Sequence, residues 1–198
     1  MSFQTIFNIQ QSMTVNNRRM VGQQVARSGY ITVAQYLTAV PWEFTITPHS
    51  YLYYPQVRDV IQAIDNKDRQ LPESISFAGD TLSWFTTNRG TATSSVLNGT
   101  PTPNTQTLAL TSNGTFKAGD FLQVGGYVYK VTADSAGSSV GIHRPLIGSP
   151  ASGTSLILGS AVTFNVVAQV CPTYTLNPMT SGAFVQWDAP FIFREYIT

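Results

Sequence analysis

The chain has 198 residues, enough for one sizeable domain or a domain carrying a large insertion, and its 11 basic and 10 acidic residues leave a formal net charge of +1. That balance supplies no overall field to recruit nucleic acid or an anionic membrane, and the single cysteine, Cys171, excludes an intrachain disulfide and a CxxC metal or redox pair. Charged residues are only 11% of the sequence, against roughly 25% in ordinary soluble domains, and Thr, Ser, Asn, Gln and Gly stand in their place, a surface suited to being covered by neighbouring subunits.

The N-terminus, MSFQTIFNIQQSM, lacks the basic segment, apolar stretch and small-residue cleavage site of a secretory signal. No segment approaches the ~20 apolar residues that span a bilayer, so synthesis in a cytoplasm without the usual export is expected. Residues 3 to 15 are rich in β-branched and aromatic side chains and predict a hairpin or long arm, with Asn16-Asn17 as its turn. The first thirty residues hold Arg18, Arg19 and Arg27 and no acid, which suits a solvated or subunit-facing arm. In the stretch from Tyr30 to Thr47, Trp42, Phe44 and Ile46 alternate with Glu43, Thr45 and Thr47, the period of a strand with one buried face.

A helix is predicted over residues 55 to 68. Pro55 suits a first turn, and Val57, Val60, Ile61 and Ile64 fall on one stripe. Arg58 through Asp80 holds three basic and five acidic residues, a wet helix face or one that mates with a neighbour's charges. Ile75 to Phe77 resumes strand character, and residues 88 to 104 read as a loop. Short strands follow at Thr107 to Leu110, Phe121 to Val124, Tyr127 to Thr132, Val140 to Ile142 and Ser155 to Leu158, divided by Asn113-Gly114, Gly125-Gly126, Ala136-Gly137 and Ser152-Gly153. The glycosylation triplets Asn98-Gly99-Thr100 and Asn113-Gly114-Thr115 read as Asn-Gly turns. Longer strands return at Val162 to Val170, Ala183 to Trp187 and Phe191 to Tyr196, the last with aromatic residues on both faces. The predicted fold is mainly β: a β-sandwich of residues 1–87 and 160–198 with one flanking helix, and residues 88–159 as a linker plus an inserted small β-barrel.

Chemistry-bearing patterns are sparse. His49 and His143 are far apart in sequence and match no metal-ligand spacing, so each is expected at a turn or surface, and Cys171 as a small buried residue before Pro172. Carboxylates for glycoside hydrolysis would come from the 10 acidic residues, with Glu43, Asp80, Asp120 and Asp188 as examples, but none has a supporting motif, and the Gly-Asp pairs at 79–80 and 119–120 read as turns. Phosphate-cradling loops, a nucleophile elbow and an EF-hand are missing from the sequence. No catalytic residue, metal or cofactor is expected. Tyr51, Tyr53 and Tyr54 form an aromatic cluster suited to packing beneath the helix or to sugar stacking.

The run TAVPWEFTITPHSYLYYPQVRDVIQAID, the segment FKAGDFLQVGGYVYKVTAD followed by IHRPL, and the ending FVQWDAPFIFREYI resemble minor tail and baseplate proteins of long-tailed bacteriophages, of the tail-tube-like or hub-like kind. The resemblance implies a helix-flanked β-sandwich carrying an inserted small barrel, assembled into rings of six subunits or their threefold variants. It implies a structural role in the virion tail, assembled in the host cytoplasm with other tail and baseplate proteins, with DNA only as passing cargo and no stable membrane association. Interface duty would fall to the arm with Arg18 and Arg19, the helix face with Arg58 and Asp59, and the last strand with Phe191, Phe193, Arg194 and Tyr196. Two other readings come from the residues. In one, residues 105 to 160 form a receptor- or glycan-binding module with Tyr127 and Tyr129 exposed for stacking. In the other, the chain is a cell-wall-degrading tail enzyme.

Overall fold

The computed structural model describes residues 2–18, 21–25, 31–35, 40–50, 52–67, 71–79, 82–180 and 182–198. Arg19, Arg27, Tyr51 and Asp80 lie outside the described residues. In chain order the elements are α1 (Ser2–Asn8), β1 (Gln10–Asn16), β2 (Val21–Val25), β3 (Ile31–Gln35), β4 (Glu43–Pro48), β5 (Leu52–Tyr53), α2 (Tyr54–Lys67) and β6 (Glu73–Ser76). They continue with α3 (Ser83–Thr86), β7 (Ser95–Leu97), β8 (Thr107–Ser112), β9 (Phe121–Val124), β10 (Tyr127–Lys130), β11 (Ser139–Gly141) and β12 (Ile157–Leu158). The last four are β13 (Thr163–Val170), β14 (Tyr174–Met179), β15 (Gly182–Trp187) and β16 (Phe191–Glu195). The protein is mainly β, 42% strand against 16% helix, with a curled half-barrel sheet.

Two compact units divide the chain. The first comprises Met1–Asn16, Pro41–Ser76 and Phe164–Thr198, and the second Asn17–Val40 and Phe77–Thr163.

In the first unit a five-stranded sheet runs in the order β1-β4-β16-β13-β6, and a smaller one in the order β14-β15-β5. The alternation read in residues 42 to 47 is realised: Trp42, Phe44 and Ile46 are buried beside Phe164, Phe191 and Phe193 of the neighbouring strands. Phe44 and Phe164 meet edge to face at 5.2 Å, and Trp42 meets Phe164 at 5.4 Å, the tilted geometry that aromatic quadrupoles favour.

Residues 2 to 8 form a helix, not the strand expected from their composition. Phe3, Ile6 and Phe7 sit at i, i+3 and i+4 and are all buried, with both Phe rings 5.1 Å from Phe193. The buried carboxylate of Glu73 accepts the Phe3 and Gln4 amides at 3.3 and 3.5 Å, satisfying donors that a helix N-terminus leaves over. Lys67, the last residue of α2, pairs with the same carboxylate at 3.1 Å. Helix α2 matches the predicted one and buries Val57, Ile61 and Ile64, while Val60 is half-buried. Each of the three contributes about 1.5–3 kcal/mol on leaving water.

In the second unit two three-stranded sheets, β10-β9-β12 and β11-β8-β7, supply one apolar core that includes Leu108, Leu110, Phe116, Leu122, Tyr129, Val140 and Ile142. Of the turn glycines read from the sequence between these strands, Gly125, Gly126, Gly137 and Gly153 have positive φ and Gly114 does not. Two buried charged side chains hold main chain across this unit. Asp120 accepts the amides of Arg89, Gly90 and Lys117 at 2.7, 3.0 and 2.8 Å. Arg144, 0% exposed, donates to the carbonyls of Val40 and Val128 at 2.7 and 2.9 Å, its guanidinium 5.0 Å from the Tyr129 ring centre. A short helix, α3, carries Trp84 at 69% exposure.

Candidate functional site

The surface feature with the clearest physical meaning in the first unit is the β14–β15 hairpin. Pro172 follows the end of β13, and β14 and β15 then pair in unbroken register from Tyr174↔Trp187 to Met179↔Gly182. The base of the hairpin is fastened by Asp188, whose carboxylate accepts the hydroxyls of Thr173 and Thr175 at 2.6 and 3.2 Å. On its far side β15 pairs with β5, so β14 is the outer strand of its sheet.

From Thr175 to Met179 every residue of β14 is exposed, including Leu176 at 42% and Met179 at 52%. No residue from 145 to 187 is charged. Outer strands of natural sheets are ordinarily guarded by lysine, proline or a bulge. Here Pro178 lies next to the tip, and Tyr174 to Asn177 have no such guard. The outer strand on one side of the larger sheet, β1, is also uncharged, and Gln11, Ser12, Thr14 and Asn16 are exposed along it.

Beside the hairpin, α2 and the strand ends enclose a groove of about 350 Å³ lined by Ile61, Ile64, Asp65, Cys171, Pro172, Thr173, Tyr174, Trp187 and Phe191. The helix supplies the aliphatic wall because Val57 and Ile61 pack on Val185 of β15. Half-buried Tyr174 and Trp187 form the opposite wall, with the buried Phe191 packed on Trp187: Trp187 meets Tyr174 at 5.3 Å and 66° and Phe191 at 4.7 Å and 67°. The indole Nε1 of Trp187 is buried and has no hydrogen-bond partner among the described residues. Asp65 is exposed on the rim and belongs to no ion pair among the described residues. A second, polar groove of about 260 Å³ shares Ile61, Asp65 and Tyr174 and adds Tyr54, Arg58, Gln62 and Asn66.

The residues singled out in the sequence fall in several places. Arg18 is exposed, as are Arg58 and Asp59 on α2. Phe191 and Phe193 are 0% exposed within the first unit's own core, so their rings cannot meet a neighbouring subunit, which corrects that expectation; the remaining named residues lie on the other face of β16. There Ile192 and Arg194 are half-buried, Arg194 lies opposite Glu43 in register, and Tyr196 is 41% exposed just past the strand.

Tyr129 is likewise fully buried, its hydroxyl accepting the Ile147 amide at 2.9 Å, and cannot stack on a glycan; Tyr127 is half-buried against the same core. Tyr53 and Tyr54 are half-buried. His49 is exposed, and His143 Nδ1 accepts the Lys130 amide at 3.0 Å. Cys171 is half-buried in the groove wall and not enclosed in the core. Of the named carboxylates, Asp120 and Asp188 hold backbone and threonine hydroxyls, and Glu43 is half-buried in β4. Among the described residues no group of three or more His, Cys, Asp or Glu is placed to hold a metal ion, and no helix is long and apolar enough to cross a membrane.

No protein-family model matches the chain, and no curated protein matches it either.

Proposed function

We propose that this chain is a structural, non-enzymatic subunit of the tail or baseplate of a tailed bacteriophage. It assembles with copies of itself into a sixfold or threefold ring at the tube–baseplate region, as a tube initiator, hub or distal tail ring, and keeps the channel through which DNA passes as cargo. In this reading the first unit is the helix-flanked, tail-tube-like β-sandwich and residues 88–159 contribute the inserted small barrel. The work is done in the virion, after assembly in the host cytoplasm alongside other tail and baseplate proteins, and it needs no cofactor.

The observation that carries this reading is the uncharged outer strand β14, which leaves Leu176 and Met179 in water. Tyr174 to Asn177 carry no charge on their own side chains, and the guards near this edge are Pro178 next to the tip and the Asp188 carboxylate at the base. A heterologous contact between two different edges of one molecule closes into a ring when the rotation allows, and β1 supplies a second outer strand on the same unit. The tail assignment rests on the sequence resemblance in residues 38–65, 116–146 and 184–197, and the assembly rests on the strand edge.

Analytical ultracentrifugation of the purified chain over a wide concentration range, with negative-stain imaging, tests the proposal. Concentration-dependent oligomers and rings are expected. A chain that stays monomeric at high concentration and joins no other virion component overturns it.

A further inference from the structure

The groove beside α2 has a chemistry that ring assembly does not use. We infer that it is a receptor for a basic side chain, arginine best of all, presented by an exposed segment of a partner protein. The inference stands whether or not the chain forms rings, because the groove lies within the first unit and is made by that unit alone.

Charge decides the class of occupant. Nine residues line the groove, and Asp65 is the one charged side chain among them. No base among the described residues pairs with it: Lys67, two positions on, is 3.1 Å from Glu73. Arg58 lines the far part of the adjoining groove, seven residues back and so about 10 Å along the helix axis. Among the described lining residues Asp65 therefore offers a cation an ionic partner and an anion none, and a neutral apolar occupant has walls to fill but nothing to offer the carboxylate.

Shape and surface select the kind of cation. The volume of about 350 Å³ is at the small end of the roughly 300–1,000 Å³ of ligand pockets, room for one side chain and not for a folded element. Ile61, Ile64 and Pro172 suit an aliphatic stem, while Tyr174 and Trp187 present aromatic surface on which a cation gains electrostatic attraction. Trp187 is braced edge to face by Tyr174 and Phe191, so this surface is set before any ligand arrives. A guanidinium is better matched than an ammonium, since it stacks flat on a ring and can still donate two parallel N–H bonds to a carboxylate.

The polar groove that continues past Asp65 points to a protein as the bearer. Gln62 and Asn66 line it with side-chain amides, each able to donate and accept, which is what the main chain flanking an inserted arginine requires.

The test is nuclear magnetic resonance of the full-length ¹⁵N-labelled chain titrated with N-acetyl-arginine amide, with N-acetyl-norleucine amide and N-acetyl-glutamine amide as controls. The Trp187 indole signal is identified by its loss in Trp187→Phe. Saturable shifts of that indole and of the amides around Asp65 are expected with the arginine probe alone. Asp65→Asn, a change at an exposed position that leaves the rest of the spectrum in place, is expected to weaken binding about threefold. The inference is overturned by equal binding of the norleucine probe, which would mark a merely apolar slot. It is also overturned if Asp65→Asn leaves the affinity unchanged, or if the arginine probe produces no saturable shift.

Discussion

Replacing Asp120 with Asn changes one atom and almost no volume, so it isolates what the buried carboxylate does. Asp120 is 1% exposed. One of its oxygens accepts the Arg89 amide at 2.7 Å, and the other accepts Gly90 and Lys117 at 3.0 and 2.8 Å. An asparagine that puts its oxygen in the second position keeps two of these bonds but sets its NH₂ against the Arg89 N–H, donor against donor. The opposite orientation opposes two amides and is worse. A bond to a charged acceptor is worth about 1.5–3 kcal/mol, and the two that remain fall to roughly half strength when the acceptor becomes neutral. A loss of about 3 kcal/mol follows, some two decades in the local opening equilibrium at about 1.4 kcal/mol per decade. Amide hydrogen exchange at Arg89, Gly90 and Lys117, with urea unfolding of the second unit, measures it. The competing view is that dehydrating the carboxylate costs as much as its bonds return, so that Asp120→Asn is neutral or stabilising. Protection unchanged within threefold at all three amides would refute the expected loss and leave that view standing.

Three other outcomes follow from the same structure. Gly137→Ala should destabilise the second unit by more than about 2 kcal/mol in urea unfolding, because φ there is +97° and a Cβ would stand 2.3 Å from the Gly114 carbonyl oxygen. Leu176→Lys and Met179→Lys place charge on exposed positions of β14, so thermal stability of the isolated chain should move little while sedimentation shifts toward monomer; unaltered self-association would remove β14 from the proposed contact. The Asp134 carboxyl is held below its ordinary pKa by the Lys117 ammonium at 2.7 Å and the Ala118 amide at 3.0 Å. Its lowered folded-state value means that it stabilises the fold at neutral pH and that this contribution is lost as pH falls through that value. Asp134→Asn and the wild type should therefore differ in urea midpoint near neutrality and converge in acid, and a gap that does not change with pH would contradict the sign.

What could be read in the sequence was what local chemistry decides. Helix α2 was legible because Pro55 and the spacing of Val57, Ile61 and Ile64 agree, and the short strands of the second unit because Asn-Gly and Gly-Gly pairs divide them. Helix α1 was not. Its composition suits a strand, yet Phe3, Ile6 and Phe7 carry a helical period, and the carboxylate that completes its first turn comes from Glu73, 70 residues away. The burial of Phe191 and Phe193 was hidden for the same reason. Alternation shows that two faces of a strand differ, but it takes α1, packed by Phe3 and Phe7 against Phe193, to decide that the phenylalanine face is the inner one.

The groove beside α2 left a weaker trace in the sequence, because Asp65, Tyr174 and Trp187 are brought together by β15 pairing with β14 on one side and packing under α2 on the other. Where the charges sit says more about assembly than how many there are. Glu73, Asp120, Arg144 and Glu195 are buried, and each spends its charge on main chain that is distant in sequence: Glu73 on Phe3, Asp120 on Arg89, Arg144 on Val40, and Glu195 on the Trp42 amide 153 residues away at 3.1 Å. These side chains act as internal staples and do nothing to keep molecules apart in solution. The 11% of charged residues therefore overstates what the surface has available, and the uncharged stretch from 145 to 187 places the outermost strand β14 where that shortage is greatest. An edge with no charged side chain of its own, guarded by Pro178 next to the tip and the Asp188 carboxylate at its base, has a lowered barrier to pairing with a second edge.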